Sequence, residues 1–254
     1  MKYVGSKNRL SKELVPIIQS YITEDTRGYL EPFVGGANMI DKIKCRKKIG
    51  CDIHEELIEL LKYVQNLENK LPQHISEESY KEIKNSYKKN DEKYEKWYYG
   101  LVGFCASFSA RFFDTYARSV KSDGITPRDM SSEGIRNIEK QRKNLEGIIF
   151  SNQSFLSLPK EKIKNYVIYC DIPYCGTDKY YVENKNGFPY VDFYNWCKEM
   201  SKDNIVLISE YNMPEDIFEC IWEKSVKVGN SPTHKEHQDR VEKLFIVKGD
   251  KHEN

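Results

Sequence analysis

The apolar run YVIYC at residues 166–170 constrains the fold more than any other stretch of this chain. A short strand that is apolar at every position is typical of a parallel sheet whose two faces are both covered. Residues 204–209 (NIVLIS) predict a second buried strand, with four apolar residues at its centre. We therefore predict an α/β fold, with helices packed on both faces of the sheet.

The segments before this run alternate between helix and strand patterns. Apolar residues at helical spacing predict helices, and short apolar stretches that end at turn residues predict strands. The predicted segments are helix 6–22, strand 29–33, helix 37–44, strand 48–51 and helix 55–67. From residue 29 onward, this order is typical of the β-α-β-α opening of a doubly wound sheet.

The last part of the chain predicts a different strand arrangement. Residues 224–228 and 241–247 have strand patterns and are separated by a loop that contains Gly229 and Pro232. Two such strands are expected to pair as an antiparallel hairpin. The complete expectation is a mixed sheet with an antiparallel C-terminal hairpin.

The middle of the chain has a different composition. Residues 77–97 are mostly polar, and residues 101–143 hold eight Lys and Arg against five Asp and Glu, interleaved with aromatic residues. A chain of 254 residues can hold one α/β domain with a sizeable insertion. We expect the main domain to comprise 1–68 and 145–254, and the insertion 69–144.

The overall charge excludes a general attraction to polyanions. Lys and Arg total 40 against 39 Asp and Glu, which leaves a formal charge of +1. A protein of this charge that binds nucleic acid needs a local basic surface. Residues 101–143 are the stretch where basic and aromatic residues interleave, although a small helical subdomain with an aromatic core explains most of those aromatics equally well.

Three positions directly after predicted strands are candidates for a ligand site, because ligands of open parallel sheets bind beyond the carboxyl ends of the strands. The first is the turn with Gly35 and Gly36, which a structural strand-to-helix turn explains as well. The second is Asp52, where an acid can bind ribose hydroxyls or cap the next helix. The third is the tetrapeptide Asp171, Ile172, Pro173 and Tyr174, which is also compatible with a plain turn after a strand.

The tetrapeptide suits chemistry at the exocyclic amine of a base. The lone pair of such an amine is delocalised into the ring, so a site that accepts both of its hydrogens helps the nitrogen to react. The Asp171 carboxylate supplies one acceptor and the main-chain carbonyl of Ile172 the other. Pro173 restricts the conformation of the residue before it, and Tyr174 offers a ring on which a flipped base stacks, worth about 1–3 kcal/mol.

In order and spacing, these elements resemble the Dam-type (D12 class) DNA adenine-N6 methyltransferases of bacteria and phages. Similar positions are Tyr3 to Lys7 (YVGSK), Glu31 to Gly36 (EPFVGG), Asp52, the tetrapeptide, Gly176-Thr177, Tyr180-Tyr181, Ser209 to Asn212 and Glu242 to Leu244. The resemblance covers both ends of the chain and skips the middle. It implies a Rossmann-like class I methyltransferase domain formed by 1–68 and 145–254, with 69–144 as the DNA target-recognition insert.

The resemblance also implies a cofactor and its contacts. The expected cofactor is S-adenosylmethionine as methyl donor, without a metal, and the expected substrate is adenine N6 in double-stranded DNA. The implied cofactor-binding residues are Tyr3, Lys7, Glu31, Phe33, Gly35, Gly36, Asp52 and Asp171. The implied catalytic residues are Asp171, Ile172, Pro173 and Tyr174.

Two positions depart from the family pattern. Ile172 replaces the first proline of the usual D-P-P-Y, and Ala37 replaces a frequent third glycine. Ile172 keeps the carbonyl that the chemistry needs, and Pro173 still favours an extended conformation at residue 172. Two alternatives remain open: an inactive homologue that binds DNA or the cofactor, and a methyltransferase that acts on RNA or on a protein amide.

Basic residues of the insertion and of the last loop are the candidates for DNA contacts, because Arg and Lys bind phosphates and Arg reads guanine. For the four candidates of the insertion, no helical carboxylate partner is apparent in the sequence. The candidates are Arg111, Arg118, Lys121, Arg128, Lys235 and Arg240. His234 and His237 raise the alternative of a metal site, but no third ligand is near in sequence.

The N-terminal residues lack the apolar stretch of a signal peptide, and no run of residues is long and apolar enough to cross a bilayer. We expect a cytoplasmic protein of a bacterium or of a phage-infected cell, which is a monomer or a weak dimer.

Overall fold

The computed structural model describes residues 1–174, 187–226 and 240–248. The chain divides into two compact units. The first comprises Met1–Val15, Val34–Lys44 and Lys48–Ser154, and the second Pro16–Phe33, Cys45–Lys47 and Phe155–Asn254.

The described residues form six α-helices and seven β-strands. The helices are α1 Ser11–Ser20, α2 Glu55–Gln65, α3 Glu77–Lys89, α4 Lys96–Cys105, α5 Met130–Leu145 and α6 Tyr190–Ser201. The strands are β1 Gly28–Glu31, β2 Lys48–Asp52, β3 Ile148–Asn152, β4 Tyr166–Asp171, β5 Ile205–Glu210, β6 Phe218–Val226 and β7 Arg240–Val247.

The second unit contains five strands in the order β1-β4-β5-β7-β6. β1, β4 and β5 are parallel, whereas β7 is antiparallel to both β5 and β6. Val167 to Cys170 of β4 are at most 1% exposed, as an apolar run covered on both faces requires. The predicted mixed sheet and its antiparallel C-terminal hairpin are therefore confirmed.

The first unit combines the parallel pair β2 and β3 with a group of helices. α3 packs on α4, and both α4 and α5 pack on α2. α4 approaches α2 so closely that a Cβ added at Gly100 would lie 2.2 Å from the carbonyl oxygen of Glu56. Residues 69–144 thus belong to the same compact unit as β2, and the unit boundaries differ from the predicted division at residues 68 and 145.

The predicted helix at residues 37–44 is wrong, because this segment consists of turns. Ala37 has φ of +55°, in the left-handed region that a right-handed helix cannot include. The amide of Lys42 donates to the carbonyl of Met39 at 2.9 Å, which closes a turn. The side chain of Gln141 donates to the carbonyls of Gly36 at 3.2 Å and Ala37 at 2.9 Å, so α5 stabilises the turn from outside.

Among the helices in the described part of the chain, none combines the length and the apolar composition that crossing a bilayer requires.

Candidate active site

Asp52 is the last residue of β2 and is only 9% exposed. Its Oδ2 accepts the amide of Gly35 at 3.1 Å, and its Oδ1 accepts the amide of His54 at 3.0 Å. His54, not Asp52, occupies the N-cap position of α2. The carboxylate therefore does not cap α2, which removes the helix-cap alternative.

The electrostatics of Asp52 reflect burial opposed by hydrogen bonds. Burial raises the pKa of the Asp52 carboxyl above its ordinary 3.8, and the amides of His54 and Gly35 partly offset this effect. Each carboxylate oxygen has two acceptor sites, and the two hydrogen bonds above occupy one on each. A neighbouring pair of hydroxyl groups could donate to the remaining sites.

The turn at Gly35 and Gly36 is shaped by Tyr3. Gly35 has φ of +47°, and a Cβ added there would lie 2.8 Å from Cε1 of Tyr3. A Cβ added at Gly36 would lie 2.9 Å from Cβ of Tyr3. The Tyr3 ring also lies 5.5 Å from the ring of Phe104. Glycine is thus needed at both positions because the Tyr3 side chain lies against the turn.

Lys7 is buried although it carries an ammonium group, with 6% of its surface exposed. Its Nζ donates to the carbonyl of Gly5 at 3.2 Å. The preceding residue Ser6 accepts a hydrogen bond at 2.8 Å from the amide group of Asn38, which follows the glycine turn. A buried cation favours an anionic partner, so this position suits a ligand carboxylate.

The first unit therefore brings together five predicted residues: Tyr3, Lys7, Gly35, Gly36 and Asp52. It also adds two that the sequence analysis missed. Asn152, at the end of β3, donates its side-chain amide to the carbonyl of Asp52 at 3.0 Å, and the main-chain amide of Gln153 donates there at 3.1 Å. Asn152 ends β3 and Gln153 follows it, so the strand-end rule that selected Asp52 would also apply to them.

The remaining predicted cofactor-binding and catalytic residues lie in the second unit. Glu31 ends β1, is 3% exposed, and accepts the hydroxyl of Tyr29 at 2.7 Å. The Phe33 ring packs in an aromatic cluster, with ring centroids 5.4 Å from Phe155 and 5.8 Å from Phe193. Phe33 therefore has a packing role in this aromatic cluster.

The tetrapeptide begins where β4 ends. Asp171 is the last residue of β4, lies opposite Ser209 of β5, and is half-buried. Ile172 and Tyr174 are buried. The carbonyl of Pro173 accepts the hydroxyl of Tyr190 at 2.9 Å. The tetrapeptide thus leads from the parallel sheet into a buried segment.

Two residues hold the Tyr174 side chain: Tyr211, which follows β5, and Glu242, which belongs to β7. Its hydroxyl donates to Oε2 of Glu242 at 2.7 Å, and its ring meets that of Tyr211 at 4.4 Å with an interplanar angle of 81°. Burial raises the pKa of the Tyr174 hydroxyl well above its usual 10.0, and the carboxylates of Asp171 and Glu242 raise it further. Tyr174 therefore remains a neutral hydrogen-bond donor at physiological pH.

Three of the predicted DNA-contacting arginines have carboxylate partners, which contradicts the expectation that they have none. Arg118 pairs with Glu77 of α3 through two of its nitrogens, and Arg128 pairs in the same way with Glu133 of α5. Arg111 lies 3.7 Å from Asp114. The sequence could not show the Arg118 pair, because its partner lies 41 positions away.

Lys121 and Arg128 belong to a small hairpin in the first unit. The amide of Lys121 donates to Thr126 at 2.8 Å, and the amide of Arg128 donates to Ser119 at 2.9 Å. In the second unit, the guanidinium of Arg240 lies 5.7 Å from the centre of the Tyr211 ring.

Several predicted positions lie outside the described residues. These are Lys235, Gly176, Thr177, Tyr180, Tyr181, His234 and His237.

Comparison with known proteins identifies a family, a sequence relative and similar solved structures. The model of the family described as "D12 class N6 adenine-specific DNA methyltransferase" matches residues 3–227. The type II methyltransferase M.FokI of Planomicrobium okeanokoites is 25% identical over 207 residues, which are 74% of this chain and 30% of that protein. The chain thus spans less than a third of the length of that relative.

Two solved structures of the rRNA methyltransferase aviRa from Streptomyces viridochromogenes are similar at 10% identity, with TM-scores of 0.42 and 0.43. The alignments cover 94% and 97% of this chain and 84% and 86% of those chains.

Proposed function

Because the chain belongs to the D12 class of N6 adenine-specific DNA methyltransferases, we propose that it is a site-specific DNA adenine methyltransferase. The reaction transfers a methyl group from S-adenosylmethionine to N6 of an adenine that is flipped out of double-stranded DNA. The observation that carries this proposal is the tetrapeptide, which places a carboxylate at the end of a parallel strand directly before a buried segment.

S-adenosylmethionine supplies an electrophilic methyl group that is bound to a sulfonium sulfur. The rest of the cofactor is the leaving group and becomes a neutral thioether. The residues of the first unit suit its other groups. Asp52 keeps acceptor sites for the two ribose hydroxyls, and the buried ammonium of Lys7 suits the carboxylate. Tyr3 packs beside the glycine turn, and Glu31, Phe33 and Asp171 complete the proposed cofactor contacts on the strength of the family resemblance.

The tetrapeptide prepares the amine. The Asp171 carboxylate and the Ile172 carbonyl accept its two hydrogens, so that the nitrogen lone pair is drawn out of conjugation with the ring. The N–CH₃ bond then forms as the S–CH₃ bond breaks, and the nitrogen loses one proton. Because Asp171 is only half-buried, its carboxylate can pass this proton to water. Tyr174 contributes the ring on which the adenine stacks.

DNA binding is assigned to the basic residues of the hairpin and its surroundings. Residues 69–144 form the proposed recognition region, and Arg111, Arg118, Lys121 and Arg128 contact phosphates or base edges. The ion pairs of Arg111, Arg118 and Arg128 lie at the surface, where such pairs contribute little to stability, so phosphates can replace the carboxylates at little cost. Lys235 and Arg240 are further proposed contacts. We propose that the protein acts in the cytoplasm, as a monomer or a weak dimer.

The decisive experiment incubates the protein with methyl-labelled cofactor and duplex DNA and measures N6-methyladenine. We expect transfer by the wild type and at least a hundredfold loss in Asp171→Ala, because one of the two acceptors is removed. Asp216→Ala is the matched control, since Asp216 is exposed in the same unit. Sequencing of DNA from expressing cells then identifies the methylated site. Binding of DNA without transfer, or transfer only to RNA or protein, would overturn the proposal.

A further inference from the structure

Tyr190 contacts the tetrapeptide from the first turn of α6. Its hydroxyl donates to the carbonyl of Pro173 at 2.9 Å, and its ring lies 5.0 Å from that of Phe188 in an edge-on arrangement. Tyr190 is absent from the predicted site residues, because its relevance depends on the tertiary approach of α6 to Pro173.

The hydrogen bond restrains the peptide plane that directly follows the one carrying the reacting carbonyl of Ile172. The direction of the Ile172 carbonyl depends on the torsions of residues 172 and 173. The proline ring fixes φ of Pro173 near about −65° but leaves its ψ free. Because ψ of Pro173 determines where its own carbonyl points, the Tyr190 hydrogen bond restrains that second torsion.

Tyr190 is held in place by the packing of helix α6. α6 packs on β5 and β7, and its residues Phe193, Trp196, Cys197 and Met200 are all at most 2% exposed. Tyr190 is the first residue of the same helix, and the amide of Phe193 donates to the carbonyl of Pro189 at 2.9 Å. A hydroxyl fixed to such a helix holds the Pro173 carbonyl in one place.

Ile172 increases the importance of this restraint. A proline at residue 172, as in the usual family motif, would fix φ of that residue through its ring, whereas isoleucine leaves φ adjustable within the extended region. The carbonyl that is needed for the reaction is therefore less constrained from the N-terminal side. The hydrogen bond from Tyr190 to Pro173, which restrains the chain after residue 172, is therefore more important for the direction of this carbonyl.

We propose that Tyr190 is a positioning residue of the methyl transfer: it holds the Pro173 carbonyl and thereby aims the Ile172 carbonyl at one hydrogen of the target amine. This inference rests on the proposed function. It predicts that the hydroxyl of Tyr190 affects recognition of the N6 amino group specifically, although Tyr190 does not touch the base.

The test measures binding of two duplexes that carry the sequence methylated in cells, one with adenine at the target position and one with purine, which lacks the amino group. Both are titrated in the presence of S-adenosylhomocysteine, against the wild type and Tyr190→Phe. The cost of flipping differs between the two duplexes, but it cancels when the variants are compared. We expect Tyr190→Phe to weaken binding of the adenine duplex relative to the purine duplex by about fivefold, and to lower kcat without raising KM for the cofactor.

Tyr194→Phe is the matched control, because it removes a hydroxyl from the next turn of the same helix, where the ring packs on Phe218. It should leave the ratio of the two affinities unchanged. If Tyr190→Phe weakens both duplexes equally, or neither, the positioning role is wrong. Methylation of the adenine duplex by the wild type is measured in parallel, and its absence would instead show that the proposed function has failed.

Discussion

The candidate residues of the first unit and those of the second unit are held in place by different means. In the first unit, the Asp52 carboxylate is held by the main-chain amides of Gly35 and His54, and the turn beside it has no side chains at its two glycines. In the second unit, the tetrapeptide is held by side-chain groups, namely the hydroxyl of Tyr190 and the carboxylate of Glu242. The surroundings of Asp52 thus depend on the conformation of the main chain, whereas the tetrapeptide depends on individual polar atoms of side chains.

This difference determines how each part should fail. A backbone-built site fails when a side chain is added, because the added atoms change the turn itself and the fold loses stability. A site held by side chains fails when one polar atom is removed, because the packing survives and only the orientation is lost. Substitutions in each unit can therefore test this contrast.

The largest effect is expected from Gly35→Ala. An alanine at φ of +47° costs about 1–2 kcal/mol of stability, and its Cβ would lie 2.8 Å from the Tyr3 ring, which adds about 1–3 kcal/mol of overpacking. Gly124→Ala is the matched control, because Gly124 has φ of +71° but no atom within 4 Å of an added Cβ. Denaturant unfolding should show a loss of about 2–5 kcal/mol for the first variant and only the conformational part for the second. Equal losses would show that the Tyr3 contact does not matter.

The parts of the molecule that could be predicted from sequence are those governed by local pattern. The apolar run before the tetrapeptide predicts β4 correctly, and the strand patterns predict the hairpin of β6 and β7. The helix predicted at residues 37–44 is wrong because Ala37 adopts a left-handed conformation that its residue type does not signal. Local pattern also missed the Glu77 partner of Arg118, which is distant in sequence.

The residues of the candidate site can likewise be separated into those that local sequence pattern predicts and those that depend on tertiary contacts. The strand-end rule and the family resemblance both select Asp52 and Asp171, since these residues follow strands directly. The same rule could have selected Asn152 and Gln153. No pattern could select Tyr190, because its relevance depends on the tertiary approach of α6 to Pro173. The resemblance includes Glu242, but only the structure shows that it accepts the Tyr174 hydroxyl.

The second prediction concerns Asp52→Asn. The amide keeps the shape of the carboxylate but has one acceptor oxygen, so it cannot accept both main-chain amides and two ribose hydroxyls. We expect the Kd for S-adenosylmethionine, measured by calorimetry, to rise about 10- to 100-fold, as for loss of hydrogen bonds to a charged group. Asp216→Asn serves as the control for loss of one surface charge. An unchanged Kd in Asp52→Asn would exclude the ribose contact.

The pH dependence provides a second check on Asp52. Its pKa is raised in the folded chain, so between 3.8 and that higher value the folded state binds more protons than the unfolded state. The contribution of Asp52 to stability therefore falls as the pH rises through this window. Cofactor affinity should change in the opposite direction, because only the ionised carboxylate accepts from both hydroxyls. Both trends should be absent in Asp52→Asn.

The smallest effect is expected from Glu242→Gln, which tests the side-chain part of the contrast. The glutamine oxygen can still accept the Tyr174 hydroxyl, but a neutral acceptor gives a weaker hydrogen bond than a carboxylate, so the ring of Tyr174 is held less firmly. We expect kcat to fall about threefold, and the free energy of unfolding to change by less than about 1 kcal/mol. The Kd for the cofactor should stay within about twofold of the wild type, because the Asp52 contacts are intact. Glu219→Gln on β6 is the matched control, since Glu219 is exposed. A rise in cofactor Kd as large as that of Asp52→Asn would show that the two parts of the site do not fail independently.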